Sequence, residues 1–170
     1  MAVLPILTAP DRRLKQISQP VSKVDDALRQ LMDDMADTMY HAIGIGLAAP
    51  QVGILRRIIC VDVHHAQEGN EKKPVFIVNP VIVHSAGEIC WKEGCLSIPE
   101  YHSEVTRAAH VVVKGLDRNN QVLELVGDDL MAVCLQHEID HLNGKLFIDH
   151  ISMLKRSILL KKLKKQKEEQ

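Results

Sequence analysis

The segment HEIDH at residues 137–141 constrains the fold more than any other part of the chain. On an α-helix, histidines at positions i and i+4 project from one face and can both bind one metal ion. The glutamate beside the first histidine can then accept a proton from a water that the metal activates. Apolar residues flank the segment on nearly every side, which indicates a buried helix. The sequence therefore predicts a buried, metal-binding helix from about residue 128 to residue 143, ended by Gly144.

The remaining helices are predicted at the two ends of the chain. Apolar residues at helical spacing over residues 24–42 predict an N-terminal helix. A last amphipathic helix is predicted over about residues 150–166, and its apolar stripe consists of Ile151, Leu154, Ile158 and Leu163.

The strands lie between these helices. They are predicted at residues 57–63, 75–83 with an interruption at Asn79-Pro80, 103–107, 110–117 and 121–126. Residues 64–74 are predicted to be a polar loop, and residues 90–99 to be irregular. Because the strands are short and do not alternate with helices, the order favours an α+β fold with mainly antiparallel sheets around the 128–143 helix. A length of 170 residues predicts a single domain over residues 1–170.

Composition excludes several classes of function. Aromatic residues make up 3% of the chain, so the core must be aliphatic, and this scarcity argues against a nucleic-acid surface of stacked rings. No apolar run approaches the roughly 20 residues of a membrane span. The N-terminal residues do not have the pattern of a signal peptide, so we expect a cytoplasmic protein with its four cysteines reduced.

The charge is unevenly distributed. The net charge is −1, but residues 151–170 contain seven Lys and Arg and two Glu, whereas the rest of the chain is acidic. Residues 150–170 are therefore predicted to form a basic C-terminal helix. This helix is either a solvated element that docks through its apolar stripe or a surface for an anionic partner.

A catalytic site of this type needs a third protein ligand, with one position left open for water. Cys134 lies on the same helix face as His137, although an apolar core role suits it better. Cys95 is the better candidate because glycine and proline punctuate the segment around it. Two peptidase classes fit poorly. Phe147 stands where metzincins have a third histidine, and only the tail residues Glu168 and Glu169 follow for a thermolysin-like ligand.

Three segments together resemble the motifs of the peptide deformylase family in order and spacing. They are GIGLAAPQ at 44–51, EGCLS at 93–97 and QHEIDH at 136–141. The resemblance covers nearly the whole chain. It implies a metal-dependent hydrolase that removes the N-formyl group from formyl-methionine at the N-terminus of newly synthesised polypeptides and releases formate.

The resemblance also implies a role for individual residues. The metal ligands would be Cys95, His137 and His141, and the ion would be Fe²⁺, with Zn²⁺, Ni²⁺ or Co²⁺ tolerated. Glu138 would be the general base and acid. Gln51 and the backbone N–H of Leu96 would form the oxyanion hole, and the backbone of Gly46 would pair with the substrate. The proposed lining of the cleft and its methionine pocket comprises Ile43, Gly44, Trp91, Leu130, Val133 and Cys134.

Two positions depart from the family pattern. His102 stands where many members have arginine, and Ile43 stands where an acidic residue is frequent. Both are expected to flank the substrate cleft. In the family, a basic C-terminal helix can contact the ribosome, so the ribosome is an expected partner beside formyl-methionyl peptides. The alternatives are a small metallopeptidase and a non-catalytic ribosome- or RNA-binding protein with a structural metal.

Overall fold

The computed structural model of the protein describes residues 2–65, 67 and 70–169. Its helices are α1 (Asp26–His41), α2 (Leu130–Leu142) and α3 (Met153–Glu168). Its strands are β1 (Gly46–Ala48), β2 (Ile58–Val61), β3 (Val75–Ala86), β4 (Ile89–Cys95), β5 (Ile98–Arg107), β6 (His110–Leu116) and β7 (Val122–Asp128). Residues 66, 68 and 69 of the predicted 64–74 loop lie outside the described residues. Among the described helices, none is both long and apolar enough to cross a membrane.

Five strands form one sheet in the order β1-β2-β3-β6-β7, and every neighbouring pair is antiparallel. Side chains alternate between the two faces of a sheet. Ile58 and Cys60 of β2 pack with α1 on one face, whereas Ile59 and Val61 pack with α2 on the other. The sheet therefore lies between α1 and α2, which explains why β2 is apolar without alternation. The α+β class and the antiparallel pairing are confirmed.

One part of the strand prediction was wrong, and the predicted interruption of β3 was confirmed. Residues 90–99, predicted to be irregular, instead contain most of β4 and the start of β5, which form a separate antiparallel hairpin. Gly94 and Pro99 misled the prediction because both residues are depleted in strands. The predicted interruption at Asn79-Pro80 is a register shift within β3, where Asn79 has a φ of 53°. A bulge of this kind accommodates a proline that cannot donate to the ladder.

The C-terminal helix begins at Met153, after a 3-10 turn at Phe147–His150. Its predicted apolar stripe was wrong at two positions. Leu154 is 71% exposed and Ile158 is 48% exposed, whereas Leu163 is buried. The docked face consists of Leu159, Leu160 and Leu163, which pack with Phe147 and Ile98 in a third core cluster.

Candidate active site

Helix α2 carries the HEIDH residues into the core. Glu138 and His141 are buried, and the His137 side chain is 12% exposed. Apolar neighbours on the same helix, including Leu135, Ile139 and Leu142, pack against the sheet. Buried polar groups are costly without partners, so the contacts of these residues define what the site can do.

Cys95 lies at the end of β4, where the hairpin turns toward α2. Its Sγ lies 3.4 Å from Nε2 of His141. One ligand atom from each of Cys95, His137 and His141 lies within 4.8 Å of the others. The cluster of these three residues could hold a metal ion, and it joins residues that are 46 positions apart in the chain.

Cys134, the other candidate third ligand, is not part of this cluster of Cys95, His137 and His141. Cys134 is buried, and its thiol contacts the carbonyl oxygen of Ile45 at 3.6 Å. Burial raises the pKa of the Cys134 thiol well above its usual value. Phe147, which stands where metzincins have a third histidine, has no side-chain atom that can bind a metal ion. Its ring stacks on His137 with the centroids 6.3 Å apart.

Glu93 forms buried contacts with His137 and Arg107 that the sequence did not reveal. His137 Nδ1 lies 2.9 Å from Glu93 Oε1, and the Arg107 guanidinium donates to both Glu93 oxygens at 2.6 and 3.0 Å. Burial alone would raise the pKa of Glu93, but the hydrogen bonds from His137 and Arg107 outweigh it and hold that pKa below its usual value. An ionised Glu93 accepts a hydrogen bond from Nδ1–H, which leaves the Nε2 lone pair of His137 for a metal ion.

The donor set fits a divalent transition metal. One thiolate and two imidazole nitrogens suit borderline ions such as Fe²⁺, Zn²⁺, Co²⁺ and Ni²⁺. Three protein ligands would leave room on such an ion for water or substrate.

Glu138 lies beside this cluster without a fixed partner. Its Oε1 atom is buried and accepts no hydrogen bond from the described residues, and it lies 3.9 Å from Nε2 of His141. Burial raises the pKa of Glu138 to about 7. A carboxyl group with these properties is suited to receiving and returning a proton.

Gln51 also lies next to Cys95. It is buried, and its Oε1 accepts a hydrogen bond from Ala48 N at 2.9 Å. This bond fixes the amide so that Nε2 faces Ser97 Oγ at 3.1 Å and Cys95 Sγ at 3.6 Å. The amide therefore presents a neutral donor next to the candidate metal site.

A cavity of about 390 Å³ opens onto this cluster. All the predicted cleft and pocket residues line it, together with Gln51, Leu96, Cys95, His137 and Glu138. Gly46 lies at its base on β1, which pairs only with β2 in the described part of the chain. A Cβ at Gly46 would lie 2.7 Å from Glu138 Oε2 and 2.8 Å from Cys134 Sγ. Only glycine lets the free edge of β1 pass this close to Glu138.

Both departures from the family pattern lie at the mouth of the cavity. Ile43 is 84% exposed and has a φ of 58°, which is uncommon for a β-branched residue. The His102 ring lies against the backbone of Gly94, where a Cβ would come 2.6 Å from the ring. Trp91 is 38% exposed on the same rim.

The fold and this site define a class: an α+β metalloenzyme of the HEXXH type, with a cysteine beside its two histidines. The family model for polypeptide deformylase matches residues 3–157. Peptide deformylase from Phenylobacterium zucineum (strain HLK1) is 52% identical over 166 residues, which are 97% of each chain.

Solved structures agree with the sequence relatives. A peptide deformylase from Legionella pneumophila matches with a TM-score of 0.90 and 49% identity, covering 98% of this chain and 96% of that one. The enzyme from Ehrlichia chaffeensis in complex with actinonin matches with a TM-score of 0.91 and 43% identity, over 98% of both chains. The chain belongs to the polypeptide deformylase family, and the predicted family membership is confirmed.

Proposed function

We propose that this protein removes the N-formyl group from formyl-methionine at the N-terminus of newly synthesised polypeptides. Residues 1–170 would form one catalytic domain for this reaction. The observation that carries the proposal is the convergence of Cys95, His137 and His141 beside Glu138, which has a buried oxygen without a partner. The family membership and the names of the relatives support the same activity.

Cys95, His137 and His141 would hold one divalent metal ion. When bound, the ion acts as a Lewis acid and lowers the pKa of water toward about 7. Glu138 takes a proton from the attacking water as the new carbon–oxygen bond forms. It then returns that proton to the leaving amine as the formyl carbon–nitrogen bond breaks, so that formate and a free amino terminus leave.

The amide of Gln51 and the backbone N–H of Leu96 donate to the oxygen of the formyl carbonyl as it gains negative charge. Both donors are neutral. They stabilise this oxygen more strongly as negative charge develops on it in the transition state. The hydrogen bond from Ala48 to Gln51 holds one donor in place before substrate arrives. The site is therefore organised in advance of the reaction.

The peptide would bind along the free edge of β1. Its main chain can pair with the backbone at Gly46, because that edge lines the cavity and has no other strand against it in the described chain. The methionine side chain would lie against the apolar wall that α2 provides through Leu130, Val133 and Cys134. Trp91, Ile43 and Gly44 complete the lining near the mouth.

We propose Fe²⁺ as the metal in the cell, with Zn²⁺, Ni²⁺ or Co²⁺ also accepted. A thiolate ligand makes a ferrous site sensitive to oxygen, which agrees with a reducing cytoplasmic location.

The ribosome is the proposed macromolecular partner, through α3. The exposed residues of this helix combine several lysines with the apolar residues Met153, Leu154 and Ile158. Cosedimentation with ribosomes tests this proposal: changing Lys161, Lys162 and Lys165 to Glu should weaken it. Unchanged cosedimentation would leave α3 as a structural helix only.

Formate release tests the proposed activity. Protein purified without oxygen and loaded with Fe²⁺, Ni²⁺ or Co²⁺ should release formate from formyl-Met-Ala-Ser. Acetyl-Met-Ala-Ser is the matched control and should be a poor substrate because of its extra methyl group. Release of Ala-Ser or of serine in place of formate would instead identify a metallopeptidase.

A further inference from the structure

The contacts of the metal site continue beyond Glu93 toward the surface. Arg107 Nη1 donates to Asp140 Oδ2 at 2.9 Å, while Nε and Nη2 of the same guanidinium bind Glu93. The same Asp140 oxygen lies 2.8 Å from His150 Nε2. The result is one continuous network of hydrogen-bond contacts from His137 through Glu93, Arg107 and Asp140 to His150.

The side chains of this network become gradually more exposed from Glu93 to His150. The side chains of Glu93 and Arg107 are 3% and 4% exposed, Asp140 is 20% exposed, and His150 is 35% exposed. The guanidinium is planar and its donors have fixed directions, so carboxylates on two sides determine its orientation. Asp140 can hold its side of Arg107 only if its own carboxylate is fixed, and His150 supplies the contact that fixes it.

The 3-10 turn Phe147–His150 reaches His137 by a second route. The Phe147 ring stacks on the His137 ring with an interplanar angle of 21°. His150, at the other end of the same turn, reaches His137 through the chain of hydrogen bonds. One short element therefore limits the rotation of the His137 ring both by packing and by polar contacts.

We propose that Asp140 and His150 are positioning residues for the metal site. They fix Arg107, Arg107 fixes Glu93, and Glu93 orients the His137 ring so that Nε2 faces the ion. The proposal rests on the metal site of the proposed function and extends it to His150, which lies outside all three sequence motifs. Outer residues of this kind change metal affinity or activity by about 10–100-fold in other metal sites.

Metal release tests the proposal without any substrate. Co²⁺-loaded protein is mixed with excess chelator, and the loss of the Co²⁺ absorption spectrum is followed. We expect Asp140→Asn to release the ion about 10–100-fold faster than wild type, and His150→Leu about 10-fold faster. His150→Gln, which keeps a donor, should restore most of the retention. Asp140→Asn and His150→Leu should also show the shifted or broadened Co²⁺ spectrum of a less rigid ligand, whereas the spectrum of His150→Gln should resemble that of wild type.

A matched surface pair serves as the control. The His110 side chain lies 2.7 Å from Asp128 and is also 35% exposed. It lies on β6, outside the network of contacts that leads from His137 to His150. His110→Leu should release Co²⁺ at the wild-type rate. The proposal is overturned if His150→Leu behaves like wild type, or if His110→Leu accelerates release equally. A wild-type protein without a bound ion would instead contradict the proposed function itself.

Discussion

Helices α2 and α3 have similar lengths, but α2 is mostly buried and α3 is mostly exposed to solvent. Of the 13 residues of α2, eight are buried, among them Glu138 and His141. Of the 16 residues of α3, only Leu163 is buried. A polar residue in a buried helix needs a partner, so its presence in the sequence is informative. A solvated helix accepts many residues at little cost, so its sequence indicates a helix but does not determine which face docks.

The largest effect is expected at Glu138. Glu138→Gln keeps the size of the side chain but removes its ability to accept a proton. We expect formate release to fall by about 10²–10⁴-fold. Steady-state kinetics on formyl-Met-Ala-Ser measure this loss, with circular dichroism and metal content measured in parallel. An active variant would show that Glu138 is one more buried residue of α2 and has no chemical role.

A smaller loss of activity is expected on changing Gln51. This residue lies outside α2, and its amide donor lies next to the candidate metal ligands. Gln51→Leu should reduce kcat by about 10²–10³-fold, since one donor to the oxyanion is lost. Gln30→Leu is the control, because Gln30 also makes an amide hydrogen bond but lies on the exposed side of α1. A change confined to KM would contradict a role for Gln51 in the transition state.

Gly46→Ala tests the close approach between β1 and α2. The added methyl group would collide with Glu138 and Cys134, so the two elements must separate. We expect a loss of about 10²-fold in kcat/KM, because catalytic groups displaced by about 1 Å lose this much. The control is Gly87→Asn, since asparagine tolerates the positive φ at this turn. If Gly46→Ala had the same kcat/KM as wild type, a close approach of β1 to α2 would not be needed for activity.

The smallest effects are expected on α3 and concern stability. Leu163→Ala should lower the free energy of unfolding by about 2–4 kcal/mol, since it removes a buried side chain. Ile158→Ala should cost less than about 1 kcal/mol, because Ile158 is 48% exposed. Urea denaturation of the two variants measures the difference. Equal losses would support the apolar stripe that the sequence alone predicted.

The two helices also show how far prediction from sequence reaches. The position of α2, the HEIDH residues and the lining of the cavity followed from motifs whose residues are close together in the chain. The bond between Arg107 and Glu93 did not, because it joins two strands of a hairpin whose first strand was predicted to be irregular. His150 carries no signal of its own, since an isolated histidine in a polar segment resembles a surface residue.

The docked face of α3 could not be predicted for a different reason. Leucine and isoleucine occur on several sides of this helix, so more than one apolar stripe can be drawn. The choice between them depends on Phe147 and Ile98, which meet α3 only in the folded chain. Tertiary packing therefore decides the outcome.

A metal titration with formate release as the readout tests the central claim most directly. Metal-free protein receives increasing amounts of Co²⁺ or Ni²⁺, and the rate on formyl-Met-Ala-Ser is measured at each step. If Cys95, His137 and His141 hold one ion, the rate of formate release should rise linearly until one ion per chain has been added. The rate should not rise in Cys95→Ala. Activity that needs no metal, or that Cys95→Ala retains, would contradict the account.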